Sequence, residues 1–249
     1  MPLKVFITGG TTGIGLALAK KYLSVGATVA VTGRSREKYD AIGENRLSFY
    51  QVDVADEVEM KKSIEDFISS NSGLDIVIAN AGIGYSVKNA IPSFEESRRI
   101  FEVNVFGVMN TIAPALNYFK DQEHGHIVAI SSIAGYNGLP GTSAYSASKS
   151  AVTKLFESYA IDFKRLNIDV TCIHPGFIDT PLTQRNHHPM PFIKTAEQAA
   201  EKFYEAIEKK KNYYAYPFFF ASLVRILGAL PRVLYIKLMQ TRALNYSKK

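Results

Sequence analysis

The chain has 249 residues, 47% of them hydrophobic, enough for one large α/β domain with a substantial core but crowded for two. Its single cysteine, Cys172, excludes intrachain disulfides and cysteine-based zinc clusters and fits a reducing, cytoplasmic compartment. The net charge of +6 is confined to the end: residues 209–249 carry nine Lys/Arg and no Asp or Glu, against 20 basic and 23 acidic side chains before them, so the body offers no basic face for nucleic acid.

No signal peptide is expected, because an apolar strand begins almost at once, over Leu3–Thr8. It meets Gly9-Gly-Thr-Thr-Gly13-Ile-Gly15 and then a helical stretch, Leu16–Val25. Ala27–Thr32 reads as the second strand, followed by polar Gly33-Arg34-Ser35-Arg36. Leu47–Val52 is the third, ending in Asp53-Val54. From Asp56, a natural N-cap, to about Ser70, apolar residues recur at helical spacing (Val58, Ile64, Phe67, Ile68). Asp75–Ala79 is the fourth strand and runs into Asn80-Ala81-Gly82. A long helix is predicted from about Ser93 to Lys120, interrupted or kinked near Pro114. His126–Ser131 is the fifth strand, a helix follows from about Ser143 to Arg165, and Ile168–His174, with Cys172 buried in it, is the sixth.

Nearly all-apolar strands alternating with helices predict a doubly wound parallel sheet of Rossmann type, a single domain over residues 1–216. Ligands then sit at the carboxyl ends of the strands. Asp53, Asn80, Ser132 and Pro175 each fall just past a predicted strand end and so converge on one rim.

The turn Thr8-Gly9-x-x-x-Gly13-Ile14-Gly15, with Thr11 and Thr12 inside it, departs from Gly-x-Gly-x-x-Gly but shares its logic. Glycines permit a tight turn and a close backbone approach, so pyrophosphate can rest on the helix N-terminus. NAD enzymes place a carboxylate at the end of the second strand for the adenosine 2′-hydroxyl. Here that position reads Gly33-Arg34-Ser35, and Arg34 with Ser35 suits a 2′-phosphate, the alternative being a solvated loop arginine. NADP(H) is therefore expected over NAD(H). Tyr145 and Lys149 are four apart and share one helical face. An ammonium there favours the phenolate and lowers the phenol from about 10 towards neutral. Ser132, after the apolar run Ile127–Ile130, can hydrogen-bond the same substrate oxygen.

With these motifs in place, the chain resembles the short-chain dehydrogenase/reductase family over roughly residues 3–216. The matching elements are the glycine turn, Asp53-Val54, Asn80-Ala-Gly82, Asn104-x-x-Gly107, Ser132, Tyr145-x-x-x-Lys149 and Pro175-Gly176-x-x-x-Thr180. The spacing of 13 residues to Tyr145 selects Ser132 over Ser131. The resemblance implies a catalytic tetrad of Asn104, Ser132, Tyr145 and Lys149. In it Tyr145 protonates a carbonyl oxygen during hydride transfer and Ser132 orients that oxygen. Lys149 holds the nicotinamide ribose and tunes Tyr145, and Asn104 anchors a proton-relaying water. It also implies that Asp53 and Val54 contact the adenine, that Asn80-Ala81-Gly82 borders it, and that Ile178 and Thr180 hold the carboxamide. Many NADP-preferring members have a basic residue where this chain has Thr12, so Arg34 carries the preference alone. The helices of Asn104 and Tyr145 resemble those that pair subunits in family members, which implies a homodimer or homotetramer.

Beyond Gly176 a segment that covers substrate in the family holds Met190, Phe192 and Ile193, an apolar lining that suits a hydrophobic, even lipid-like, carbonyl or alcohol. His187 and His188 have no acidic partner nearby and are read as loop residues, with no metal expected. After a last strand at Asn212–Tyr216, residues 217–249 form a basic, apolar extension read as two short amphipathic helices broken at Pro231. Residues 217–240 either contact an anionic membrane peripherally or pack on the subunit, over the substrate, or in a dimer. Two readings compete with the NADP(H)-dependent oxidoreductase: an NAD-dependent alcohol dehydrogenase and a non-catalytic NADP(H)-sensing regulator.

Overall fold

Side chains along a strand point alternately to the two faces of a sheet, and here both faces are apolar. The computed structural model describes residues 2–84, 91–185 and 189–241. In chain order the elements are β1 (Lys4–Ile7), α1 (Gly13–Ser24), β2 (Thr28–Gly33), α2 (Arg36–Asp40), β3 (Leu47–Gln51), α3 (Glu57–Asn71) and β4 (Ile76–Ala79). Then come α4 (Phe94–Phe101), α5 (Gly107–Gln122), β5 (Gly125–Ile130), α6 (Ser143–Asp162) and β6 (Ile168–Pro175). The chain continues with β7 (Ile178–Asp179), β8 (Lys194–Thr195), α7 (Ala196–Glu208), β9 (Tyr213–Tyr216), α8 (Phe218–Gly228) and α9 (Arg232–Met239).

The main sheet is parallel throughout, in the order β3-β2-β1-β4-β5-β6-β9. Val5, Ile7, Val29, Val31, Ile78 and Val128 face α1 and α7, where Leu18, Tyr22, Phe203 and Ile207 close the layer. Their neighbours Phe6, Ala30, Val77, Ile127, Ala129 and Cys172 face the opposite layer, with Ile64 and Phe67 of α3, Phe119 of α5 and Phe156 of α6. The chain winds outward from β1 to β3 and then crosses back to β4. The direction of winding therefore reverses between β1 and β4, and a crevice opens beyond their carboxyl ends.

The expected strands and their order in sequence are present, and Asp56 caps α3 by accepting from the Glu59 amide at 3.0 Å. The predicted interruption is placed elsewhere. The long helix is not broken at Pro114, which lies inside α5. It widens instead into a π-helical turn over Glu102–Phe106, where Asn104 reaches the Ile83 backbone and Gly107 lets α5 close on Val54. Two helices go beyond the expectation. α2 is capped by Ser35, and α7 carries a Thr195/Gln198 capping box ahead of an alanine-rich face pressed on α1.

The extension forms two helices bent by 118°, and no single helix among the described residues is long and apolar enough to cross a membrane. Phe220, Ala221 and Val224 of α8 cover Ile133, Tyr136 and Ala215. Asn137 Nδ2 donates to the Val224 carbonyl at 3.2 Å, and the Tyr235 hydroxyl of α9 donates to the Gly138 carbonyl at 2.8 Å.

Two imidazoles lie inside this frame. His126 meets the Thr171 hydroxyl at 2.8 Å, and His174 meets the Thr153 hydroxyl at 3.2 Å beneath the Tyr213 ring. Burial pushes both down to about 4. A histidine held neutral in the fold supports stability above its unfolded value of 6.5, and that support is lost as pH falls towards 4. The stability lost per histidine between neutral pH and pH below 4 is on the order of 3 kcal/mol, a large share of a typical domain's stability. The melting temperature should therefore fall steeply between pH 6.5 and 4.5, and less steeply in His126→Gln. Calorimetric melts across that range check it, and a flat profile contradicts it.

Candidate active site

Gly9 and Gly13 adopt φ of +65° and +55°, and a Cβ on Gly15 would lie 2.5 Å from the Gly9 carbonyl oxygen. These glycines fold the turn tightly enough for the first amides of α1 to face the crevice, with no acidic side chain in the helix's first turn. Thr8 and Asn80 lock the turn to the end of β4. The Thr8 hydroxyl accepts from the amides of Asn80 (3.1 Å) and Ala81 (3.2 Å). In return, Asn80 Nδ2 donates to the carbonyls of Thr8 (2.9 Å) and Gly9 (3.1 Å).

At the end of β2, Thr11 packs on Gly33 while Arg34 projects into solvent. Arg36 and Arg46 pair with Asp40 and Glu44, but Arg34 and Lys38 have no carboxylate partner among the described residues. Ser35 spends its hydroxyl on the Lys38 amide, 3.2 Å away, as the cap of α2. Arg34, Ser35 and Lys38 line one mouth of the cleft. Lys38 was not anticipated; its signal is position, one turn beyond Arg34 on a capped helix. Beyond β3, Asp53 is bound by Arg99 of α4 and accepts the Ala55 amide at 3.0 Å. Val54 is buried against Gly107.

The expected tetrad gathers past β5. Ser132 follows the strand, its hydroxyl accepting the Ala134 amide at 3.1 Å, donating to the Pro175 carbonyl at 3.4 Å, and near enough to the Tyr145 phenol to favour its ionised form. Ser131, its neighbour, points the other way, donating to the Lys149 carbonyl at 2.9 Å and meeting the Thr153 hydroxyl at 2.9 Å. Both serines border the cleft, but the Ser131 hydroxyl is spent on α6 while that of Ser132 lies towards Tyr145. The Tyr145 ring lies against Gly84, where a Cβ would come within 3.1 Å of it. Lys149 is buried and donates to the Ile130 carbonyl at 2.9 Å, close to Gly82. Asn104 is fully enclosed: Oδ1 accepts from the Ile83 amide at 2.8 Å, while Nδ2 donates to the Ile83 carbonyl at 2.9 Å and the Ser148 hydroxyl at 3.0 Å. An amide buried in so apolar a stretch is costly unless hydrogen-bonded, and here both its oxygen and its nitrogen are.

The electrostatics differ from the simple Tyr–Lys expectation. Burial pushes the Tyr145 phenol up, and only the Ser132 bond opposes it. The Lys149 amine is aimed at Ile130 rather than at the phenol, and burial lowers it to about 8.

Past β6, Pro175 and Gly176 reach the cleft, as do Ile178 and Thr180, whose side chain touches Gly13. Phe177, Phe192, Phe219 and Phe220 form an aromatic cluster. It adjoins the cleft at Gly176, where a Cβ would lie 3.3 Å from Phe220 and 3.5 Å from Ile133. His187 and His188 lie outside the described residues.

One cleft of about 330 Å³ is lined by Gly9, Thr11, Thr12, Gly13, Ile14, Arg34, Ser35, Asp53, Val54, Asn80, Ala81, Gly82, Ser132, Tyr145, Lys149, Pro175, Gly176, Ile178 and Thr180. Gly15 and Asn104 lie behind it. A wider hollow of about 570 Å³ between α1 and α7 shares only Gly13, Thr180 and Pro181 with it and holds no strand-end group of the tetrad. The cleft's residues fit a nicotinamide dinucleotide. The glycine cradle and helix N-terminus suit pyrophosphate, the unpaired cations of Arg34 and Lys38 suit a further anion, and Tyr145, Ser132 and Lys149 stand at the far end.

Comparison with known proteins agrees with this geometry. A family model described as short chain dehydrogenase matches residues 4–190. An uncharacterized oxidoreductase of Myxococcus xanthus is 31% identical over 235 residues, covering 92% of this chain and 93% of its own. A 3-oxoacyl-[acyl-carrier-protein] reductase of Thermotoga maritima is 31% identical over 185 residues, 72% of this chain and 75% of its own. The solved structure of ElxO with NADP bound superposes with a TM-score of 0.79 at 28% identity, over 86% of this chain and 96% of that one.

Proposed function

The chain belongs to the short-chain dehydrogenase/reductase family, and on that premise we propose that it is an NADP(H)-dependent oxidoreductase interconverting an apolar carbonyl compound and its alcohol. One observation carries the reading: Ser132, Tyr145 and Lys149 line one cleft with the glycine turn.

When bound, the nicotinamide supplies or accepts a hydride. The chain's own part is the proton. In the reducing direction Ser132 donates a hydrogen bond to the substrate oxygen, holding the carbonyl beside Tyr145. The Tyr145 O–H bond breaks and its proton passes to that oxygen as the carbon gains hydride. A phenol raised by burial stays protonated at neutral pH and is ready to give that proton. The resulting phenolate is reprotonated from the side of Lys149, whose amine, lowered to about 8, exchanges protons near neutrality. Asn104 fixes the Ile83 backbone beside this path.

Arg34 and Lys38, with no carboxylate partner among the described residues, support a 2′-phosphate and hence NADP(H), and NADP is the ligand bound in the related ElxO structure. The aromatic cluster around Phe192 and Phe220 supports an apolar substrate. The expected lining by Met190, Phe192 and Ile193 belongs to the same segment.

With aliphatic and aromatic carbonyl compounds as substrates, Tyr145→Phe should lower kcat/KM at least about a thousandfold while NADPH affinity stays within about threefold, since only the proton is lost. Steady-state rates and NADPH fluorescence titration check this, and near-native turnover contradicts it. The Arg34→Ala, Lys38→Ala double variant should lose about 10- to 100-fold in kcat/KM with NADPH and change little with NADH. A native preference for NADH contradicts the cofactor assignment.

A further inference from the structure

The residues that recur at helical spacing in sequence, Phe219, Leu223, Ile226, Leu227 and, just past α8, Leu230, are not the ones that hold the helix to the protein. A second stripe, Phe220, Ala221 and Val224, does that. Of the first set, Phe219, Leu223 and Ile226 face outward, Phe219 72% and Ile226 67% exposed, while Leu227 and Leu230 are half-buried. α9 repeats the arrangement: Tyr235 is buried with its hydroxyl on Gly138, while Val233, Leu234 and Ile236 are exposed, Val233 at 66%. Both helices are thus apolar on two sides, and a helix apolar all round is normally covered. The described residues cover only one side, and the other side of each helix exposes large apolar side chains.

The charges say what kind of surface covers it. The two helices carry Arg225, Arg232 and Lys237, all exposed, and no acidic residue. Arg242, Lys248 and Lys249 follow in sequence, and no Asp or Glu occurs anywhere in residues 209–249. In a two-fold pairing of copies through this face, the patch would meet itself and bring these cations together without one carboxylate. An anionic bilayer offers apolar depth to the stripe and negative headgroups to the collar. The 118° bend excludes one straight span but lets both helices lie in the plane of an interface.

We infer that α8 and α9 form an interfacial docking element for an anionic membrane surface, with Phe219, Leu223, Ile226, Val233, Leu234 and Ile236 entering the headgroup layer and Arg225, Arg232 and Lys237 at its rim. This goes beyond the reaction and does not depend on it. The element adjoins the cleft through Phe220, which touches Gly176, and through Asn137 and Gly138 beyond Ser132. Docking therefore sets the cleft's aromatic side beside the bilayer, where apolar carbonyl compounds partition.

The full chain is floated with phosphatidylcholine vesicles with or without about 30% phosphatidylserine, beside an Ile226→Asp, Val233→Asp variant whose circular dichroism and melting match the native protein. Native protein should float with the serine-containing vesicles, bind at least about tenfold less without that lipid or at high salt, and lose about tenfold or more in the variant. No flotation of the native chain, or equal flotation of native and folded variant, overturns the inference. So does a sedimentation experiment in which the native chain assembles and the variant does not, because the face then belongs to a second copy. None of these readouts uses nucleotide or turnover, so the docking and the reaction stand or fall separately.

Discussion

A parallel sheet leaves the last backbone groups of each strand without a partner in the ladder, and in a buried rim those groups must be satisfied some other way. This chain satisfies them with the residues that form the site. Asn80 takes up the carbonyls of Thr8 and Gly9, Thr8 takes up the amides of Asn80 and Ala81, and Lys149 takes up the carbonyl of Ile130. Ser132 caps the turn after β5 and Asn104 ties both backbone groups of Ile83. Thr8, Asn80, Asn104, Ser132 and Lys149 are therefore also structural bonds, which fixes their positions before any ligand arrives.

The arrangement has an electrostatic consequence. Enclosing an amine and a phenol in one small space disfavours the charged form of each, so the amine falls to about 8 and the phenol rises. The state favoured at neutrality is a protonated phenol next to an amine close to its titration point. That suits a group that hands a proton to a carbonyl oxygen and takes one back. The Ser132 bond pulls the other way, stabilising the phenolate once the proton has gone.

Much of this was legible in the sequence because it is written in strand ends. Apolar runs located the sheet, and whatever followed them had to sit on the rim, so Asp53, Asn80, Ser132 and Pro175 were found without coordinates. The choice of Ser132 over Ser131 needed only a spacing, and the structure adds the reason, since the Ser131 hydroxyl is spent on α6. What was not legible depends on three-dimensional competition. Pro114 signals a break, yet α5 runs through it, and the chain widens earlier, at Asn104, whose partners at Ile83 and Ser148 lie far along the sequence. Lys149 was placed beside the phenol by helix periodicity, but the Ile130 carbonyl holds its amine, a preference no local pattern encodes. Helical spacing found the outer stripe of α8, whereas the stripe that binds the body is recognised only from what it touches.

The central claim is that the hydroxyls of Ser132 and Tyr145 present a carbonyl carbon to the nicotinamide ring. It is tested most directly by isotope transfer. The native protein is incubated with NADPH stereospecifically deuterated at C4, as each of the two epimers, and with a series of apolar aldehydes and ketones, and the alcohol products are examined by mass spectrometry. The account predicts that deuterium appears on the carbinol carbon from one epimer and not from the other. Alcohol formed without label from either epimer, or cofactor left unoxidised with every carbonyl compound, would contradict it.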